Sequence, residues 1–188
     1  MSLATDKIKA ITVYAASHPD LDPRYIEAAR DLGAAIARAG YALVNGGGAS
    51  GLMGAVNDGA LDAGGIAIGV IPDFMHDRGW GHKGLSQTIV TNGMHHRKQT
   101  MADLSSGVIA LPGGVGTFEE ILEIMTWRKL GIYTHPAVLL NTLHYYDPLV
   151  SMMNHAREQG FIYAYNSLFS LASTPDEAVD IISLQNPK

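Results

Sequence analysis

The residues best suited to chemistry stand in the stretch "ALPGGVGTFEE" (110–120). Gly113, Gly114 and Gly116 let bare backbone approach a ligand, and Thr117 stands where a helix is expected to begin. Free N–H groups and the positive helix end would then converge on one spot, which suits an anion. Val115 lies within that turn, and Glu119 and Glu120 follow it. A second reading stands beside the first. Thr117 and Glu120 match the capping box S/T-x-x-E, in which Glu120 would only bond the cap amide. Helical spacing also puts Glu120 and Glu123 on one face, and a carboxylate at the positive end of a helix needs no functional reason.

"MHHRKQTM" (94–101) bears on that choice. In a helix starting near Met94, Arg97 and Lys98 occupy the first turn, where the helix field disfavours cations. A phosphorylated ligand or a partner carboxylate such as Glu120 would account for them; two solvated charges would be the plain alternative. "GGGASG" (46–51) follows a strand, opens a helix and matches G-x-G-x-x-G through Gly46, Gly48 and Gly51, with Gly47 between. It follows the second strand rather than the first, so a nucleotide or phosphate site other than a dinucleotide fold fits better than NAD, despite Asp73 at the end of the next strand. A tight turn is the remaining alternative. Ser17 follows the first strand and would line the same crevice.

Other chemistries lack their residues. There is no H-E-x-x-H, and His95 and His96 would diverge from a helix, so no metal is expected. No G-x-S-x-G elbow exists, and with no cysteine the chain has neither disulfides nor thiolates. Met125 and Trp127 fit core packing or a protein interface.

The elements that must position these groups follow from the apolar pattern. Strands are read at 10–15, 41–45, 65–72, 107–112 and 136–141, with a short one at 87–92. Helices are read at 22–40, 52–64, 94–106 (Met94, Met101 and Leu104 inward), 117–131, 145–160 and 174–185, and a loop or lid at 73–86. Near-continuous apolar strands alternating with helices imply an α/β fold with a parallel sheet covered on both faces. Ligands in such folds bind at the carboxyl ends of the strands, where both glycine turns would open into one site.

The chain has 188 residues, 47% of them hydrophobic and 16% charged, and a formal charge of −5. That suits a single domain over 8–188 after a flexible lead-in at 1–7, and gives no attraction to nucleic acid or an anionic membrane. The N-terminal stretch lacks the apolar region of a signal peptide, and no run approaches a membrane span. A cytoplasmic protein is expected.

"GGGASGLMGAVNDGALDAGG", "MHHRKQTM" and "PGGVGTFEE", in this order, resemble the LOG (Lonely Guy) family, the cytokinin riboside 5′-monophosphate phosphoribohydrolases. The resemblance implies a Rossmann-like three-layer fold, a homodimer, and hydrolysis of the N-glycosidic bond of a nucleoside 5′-monophosphate to free base and ribose 5-phosphate. It implies Arg97 and Glu120 as the catalytic pair, and Lys98, residues Gly113 to Glu119 and Thr126 as substrate-binding positions. Apolar Ile121, Ile124 and Met125 are expected at the dimer interface. No cofactor is expected. The lysine decarboxylase label often given to such proteins requires a Schiff-base lysine, and Lys98 beside Arg97 does not suit it.

The chain departs from the family at three places. The first turn, typically C-G-S-S-x-G, reads "AASHPD", which keeps Ser17 but brings His18 and Asp20. Gly79 stands where many members have a substrate-binding Glu, and Asn45 where many have Tyr. These changes bear on which purine is released. The competing reading is a non-catalytic nucleotide-binding or sensing protein; a purely structural dimer module is weaker.

Overall fold

A computed structural model describes residues 9–163, 165 and 168–185, so the lead-in read at 1–7 lies outside the described residues. Seven strands, β1 (Ala10–Tyr14), β2 (Ala42–Asn45), β3 (Ala67–Pro72), β4 (Gln87–Thr91), β5 (Val108–Ala110), β6 (Ala137–Leu140) and β7 (Ser170–Ala172), form one sheet in the order β4-β3-β2-β1-β5-β6-β7. Every pairing is parallel. The helices are α1 (Pro23–Arg38), α2 (Gly51–Asp62), α3 (Asp73–His76), α4 (Gly93–Leu104), α5 (Val115–Lys129), α6 (Asp147–Glu158) and α7 (Pro175–Gln185).

The side-chain period of two divides β1 between two cores. Ile11 and Val13 pack with α1, α2 and α7, whereas Ala10 and Tyr14 pack with α4 and α5. Thr12 points to the α4 side too, where its Oγ1 donates to Met101 O at 2.8 Å. With β1 buried on both faces, the continuous apolar run is explained and the three-layer Rossmann-like α/β arrangement follows. Local signals set the helix ends as well: Asp22 caps α1 through its carboxylate, Pro23 opens it, and Gly40 at φ +80° turns the chain away after it.

Five expectations need correction. Helix α5 begins at Val115 with Gly114 as its cap, two residues before Thr117, so the Thr117–Glu120 capping box does not form. Residues 73–86 contain α3 and a bridge between Gly48 and Gly81. β7 was not foreseen, because an edge strand of three residues, largely uncovered, carries little apolar signal. In α4 only Met101 of the three expected residues points inward; Met94 and Leu104 are exposed, since the face turned to the sheet is given to Arg97 and Lys98. Finally, Ile121, Ile124 and Met125 are buried in the chain's own core and cannot form a dimer interface. Among the described residues no helix is long and apolar enough to cross a membrane.

Candidate active site

A cavity of about 520 Å³ opens at the carboxyl ends of the central strands. Three loops reach it: the turn after β1 with Ser17 and His18, the turn after β2 with Gly46 and Gly48, and the turn after β5 with Gly114, Gly116 and Thr117. The crossover on either side of β1 creates this crevice. Main-chain bonds tie the loops together, from Ala16 N to Pro112 O (3.3 Å) and from Met53 N to Ala16 O (3.0 Å).

Arg97 and Glu120 both line the cavity and are only 7% and 8% exposed. Arg97 Nη1 donates to Glu120 Oε1 at 3.1 Å, and Nε donates to Val70 O at 3.0 Å. Gly46 makes room for this guanidinium, because a Cβ there would stand 1.9 Å from Arg97 Nη2. Burial raises the Glu120 carboxyl above its usual 4.5, and the Arg97 guanidinium opposes that rise without cancelling it. The site therefore holds a carboxylate that takes up a proton more readily than one in water.

One turn away lies the start of α5. Phe118 N makes the first bond, to Gly114 O at 3.0 Å, so the N–H groups of Val115, Gly116 and Thr117 precede the helical ladder. A Cβ on Gly114 or Gly116 would meet nothing within 4 Å, so packing within the chain does not require glycine there. Gly113 is different: a Cβ would fall 2.1 Å from Thr117 Oγ1, and its carbonyl accepts from Tyr145 Oη. The result is a braced turn with an open, amide-rich face.

Several residues expected at the site lie outside the cavity wall. Lys98 pairs with Glu119 and, at 3.1 Å, with Glu123. Glu119 and Glu123 thus share one face of α5, an i,i+4 pair, while Glu120 turns to Arg97. Both cations answer to carboxylates on α5, and with α4 starting at Gly93 they stand beyond its first turn. Val115 is exposed at the helix start, and Thr126 lies further along α5 with Oγ1 bonded to Leu122 O at 2.9 Å. Gly47 is not on the cavity wall; it packs behind it against Ile71, and its amide donates to Asn45 Oδ1 at 2.7 Å. Asn45, fully buried and also bonded to Asn57 at 2.8 Å, is a brace for the glycine turn. Asp73 caps its own neighbour, Phe74 N, at 2.8 Å. Gly79 sits in the lid at φ +70°, and the lid's contribution to the wall is Met75 and Trp80.

Those two, with Met53 and Ile71, form an apolar wall that sequence reading missed. Met53 comes from α2 and the other three from residues 71–80, where they follow no regular spacing; the one signal was a tryptophan set among glycines in "DRGWGHKG". The lid is fastened by His82 N to Gly47 O (2.8 Å) and by His82 Nε2 to Asp58 Oδ1 (3.0 Å). Gly84 N donates to His82 Nδ1, which makes Nε2 the protonated nitrogen.

A family model described as "Possible lysine decarboxylase" matches residues 53–182. The cytokinin riboside 5′-monophosphate phosphoribohydrolase of Rhodococcoides fascians is 46% identical over 155 residues, covering 82% of this chain and 78% of that protein. The protein of the same name, LOG, from Oryza sativa subsp. japonica is 41% identical over 156 residues, covering 83% and 64%. The chain belongs to this LOG family.

Solved structures extend the likeness beyond LOG proteins. The molybdenum cofactor carrier protein of Chlamydomonas reinhardtii aligns at TM-score 0.73 and 26% identity, covering 96% of this chain and 99% of that one. The molybdenum cofactor binding protein of Rippkaea orientalis aligns at 0.71 and 27%, covering 93% and 95%. The decarboxylase description and the relatives' names disagree, and the site decides between them. No lysine lines the cavity among the described residues. Burial pulls the Lys98 ammonium down, but the hydrogen bonds it donates to Glu119 and Glu123 outweigh that and leave the group raised. A Schiff-base lysine needs the opposite shift. Among its described residues this LOG protein has no cavity lysine of the kind that pyridoxal-type decarboxylation requires.

Proposed function

We propose that this chain hydrolyses the N-glycosidic bond of a nucleoside 5′-monophosphate, releasing free base and ribose 5-phosphate, with an N6-substituted adenine as the preferred base. The observation that carries this reading is the buried Arg97–Glu120 pair on the wall of a cavity whose neighbouring wall is a helix start with open amides. The relatives' printed activity supports it.

The backbone N–H groups of Val115, Gly116 and Thr117 take the 5′-phosphate at the positive end of α5. The ribose then lies over Glu120, one turn further on. As the C1′–N bond breaks, positive charge grows on the sugar; the Glu120 carboxylate stabilises it and accepts a proton from the water that adds at C1′. Arg97 holds that carboxylate in place and favours its ionised form. The base lies against Met53, Ile71, Met75 and Trp80, an apolar surface suited to a hydrophobic N6 substituent.

A non-catalytic carrier of the same fold has no use for a carboxylate buried beside an anion site, which would repel its ligand. Free base released from AMP and N6-isopentenyl-AMP, followed by chromatography, separates the two readings. Glu120→Gln and Arg97→Ala should each cut release steeply, to the residual rate that the remaining groups supply, and nucleosides should be far poorer substrates than their monophosphates. Tight binding without turnover by the wild type would favour the carrier. We also read the protein as a cytoplasmic homodimer. Exposed Leu130, Ile132 and Tyr163, near the contact of Lys129 with the Tyr163 ring, offer apolar surface for it; light scattering of the purified protein and of Ile132→Asp tests the dimer.

A further inference from the structure

Cleaving the C1′–N bond drives its electron pair onto the purine, so an efficient site presents a donor to that ring as well as a carboxylate to the sugar. Glu120 serves the sugar, and Arg97 gives one N–H to Glu120 and another to Val70 O, which hold its guanidinium beside that carboxylate. Ser50 Oγ donates to Ser17 O at 2.7 Å, and Thr117 is packed against Gly113. His18 also lines the cavity. Its Nδ1 accepts the Asp20 backbone N–H at 3.2 Å, so the neutral ring carries its proton on Nε2, which has no partner among the described residues.

The loop that carries His18 is fixed in place. It is bonded to Pro112 on one side and to Ser50 and Met53 on the other. Gly51, at φ +62°, lets the start of α2 pass beneath it: a Cβ there would be 2.5 Å from His18 O. His18 thus follows β1, between the amide-rich turn after β5 and the wall that includes Met53.

From this geometry we propose that His18 is a catalytic residue that donates its Nε2–H to an acceptor nitrogen of the leaving purine. The proposal rests on the glycosidase reading above. The imidazole lends a hydrogen bond and keeps its proton. It stabilises the electron pair that arrives on the base when the C1′–N bond breaks, while the water's proton goes to Glu120 and the base takes its proton from solvent. In this role the Asp20 amide fixes the tautomer and the ring's orientation.

The test compares leaving groups. His18→Ala should lower kcat on AMP and N6-isopentenyl-AMP about 100-fold, the scale for one lost transition-state donor, with KM nearly unchanged. On 4-nitrophenyl ribofuranoside 5-phosphate, whose phenolate departs unaided, the same variant should stay close to wild type. His18→Gln, which keeps an N–H donor, should recover part of the loss on the nucleotides. Equal losses on both kinds of substrate would overturn the proposal. So would a higher KM on both with kcat intact, since that pattern belongs to a phosphate contact. Wild-type protein that released neither base nor nitrophenolate would instead refute the glycosidase reading itself, whatever His18 does.

Discussion

Gly46→Ala is the sharpest probe of the site, because it adds one methyl group aimed at the Arg97 guanidinium. The backbone at Gly46 is outside the left-handed region, so alanine fits the conformation. What it cannot fit is the guanidinium: the new Cβ would lie 1.9 Å from Arg97 Nη2, whereas ordinary contact begins near 3.4 Å. Arg97 must retreat by about 1.5 Å, the difference between those two distances. Its bonds to Glu120 Oε1 and Val70 O, now 3.1 and 3.0 Å, do not survive a shift of that size. Misplacing a catalytic group by about 1 Å costs on the order of 100-fold, equivalent to about 2.7 kcal/mol. Breaking a buried pair costs at most about 3–5 kcal/mol of stability, and each kcal/mol lowers the melting midpoint of a chain this size by about 2–4 °C. The assay is base release together with thermal melting, run as a cycle with Arg97→Ala. Gly46→Ala should be costly alone and nearly silent once Arg97 is gone. Wild-type activity in Gly46→Ala, or losses that simply add in the double variant, would refute the steric argument.

Four further outcomes follow from the same geometry. The acid limb of the kcat profile should lie above the usual 4.5 of a glutamate, since burial raises Glu120, and Arg97→Gln should move it higher by removing the opposing cation. A carboxyl raised in the fold favours folding while protonated, and that contribution is lost as pH rises from 4.5 through the folded value. Melting of the wild type should therefore fall relative to Glu120→Gln as pH increases. Lys98→Met should lower stability by about 1–3 kcal/mol through its contacts with Glu119 and Glu123 and leave KM within about threefold; a large KM rise would return Lys98 to the substrate. Trp80→Ala should raise KM for N6-isopentenyl-AMP more than for AMP, in the same base-release assay.

The fold was readable in the chain wherever burial is two-sided. β1, β2, β3, β5 and β6 are runs of apolar residues because helices cover both faces, whereas β7 at the edge left no such trace. The start of α5 was misplaced because Thr117 and Glu120 imitate a capping box; the open turn at Gly114 takes the cap, and Glu120 is claimed by an arginine 23 residues away in sequence. The pairing of Arg97 with Glu120 was foreseen as one of three explanations. The division of carboxylates was not: Lys98 takes Glu119 and Glu123, and Glu120 stands apart from both. The apolar wall was illegible, because Ile71, Met75 and Trp80 follow no regular spacing and Met53 joins them only after the sheet forms.

Four of the glycines in the two turns divide by what would replace their hydrogens. At Gly46 and Gly113 a methyl group collides with the protein, at 1.9 and 2.1 Å; at Gly114 and Gly116 it enters empty space. A library selected for yield or heat resistance would therefore discard variants at the first two positions and keep those at the second two. The survivors would be sound proteins with the proposed phosphate cradle blocked. Any screen of this scaffold has to count turnover, because two of its most consequential atoms are invisible to folding.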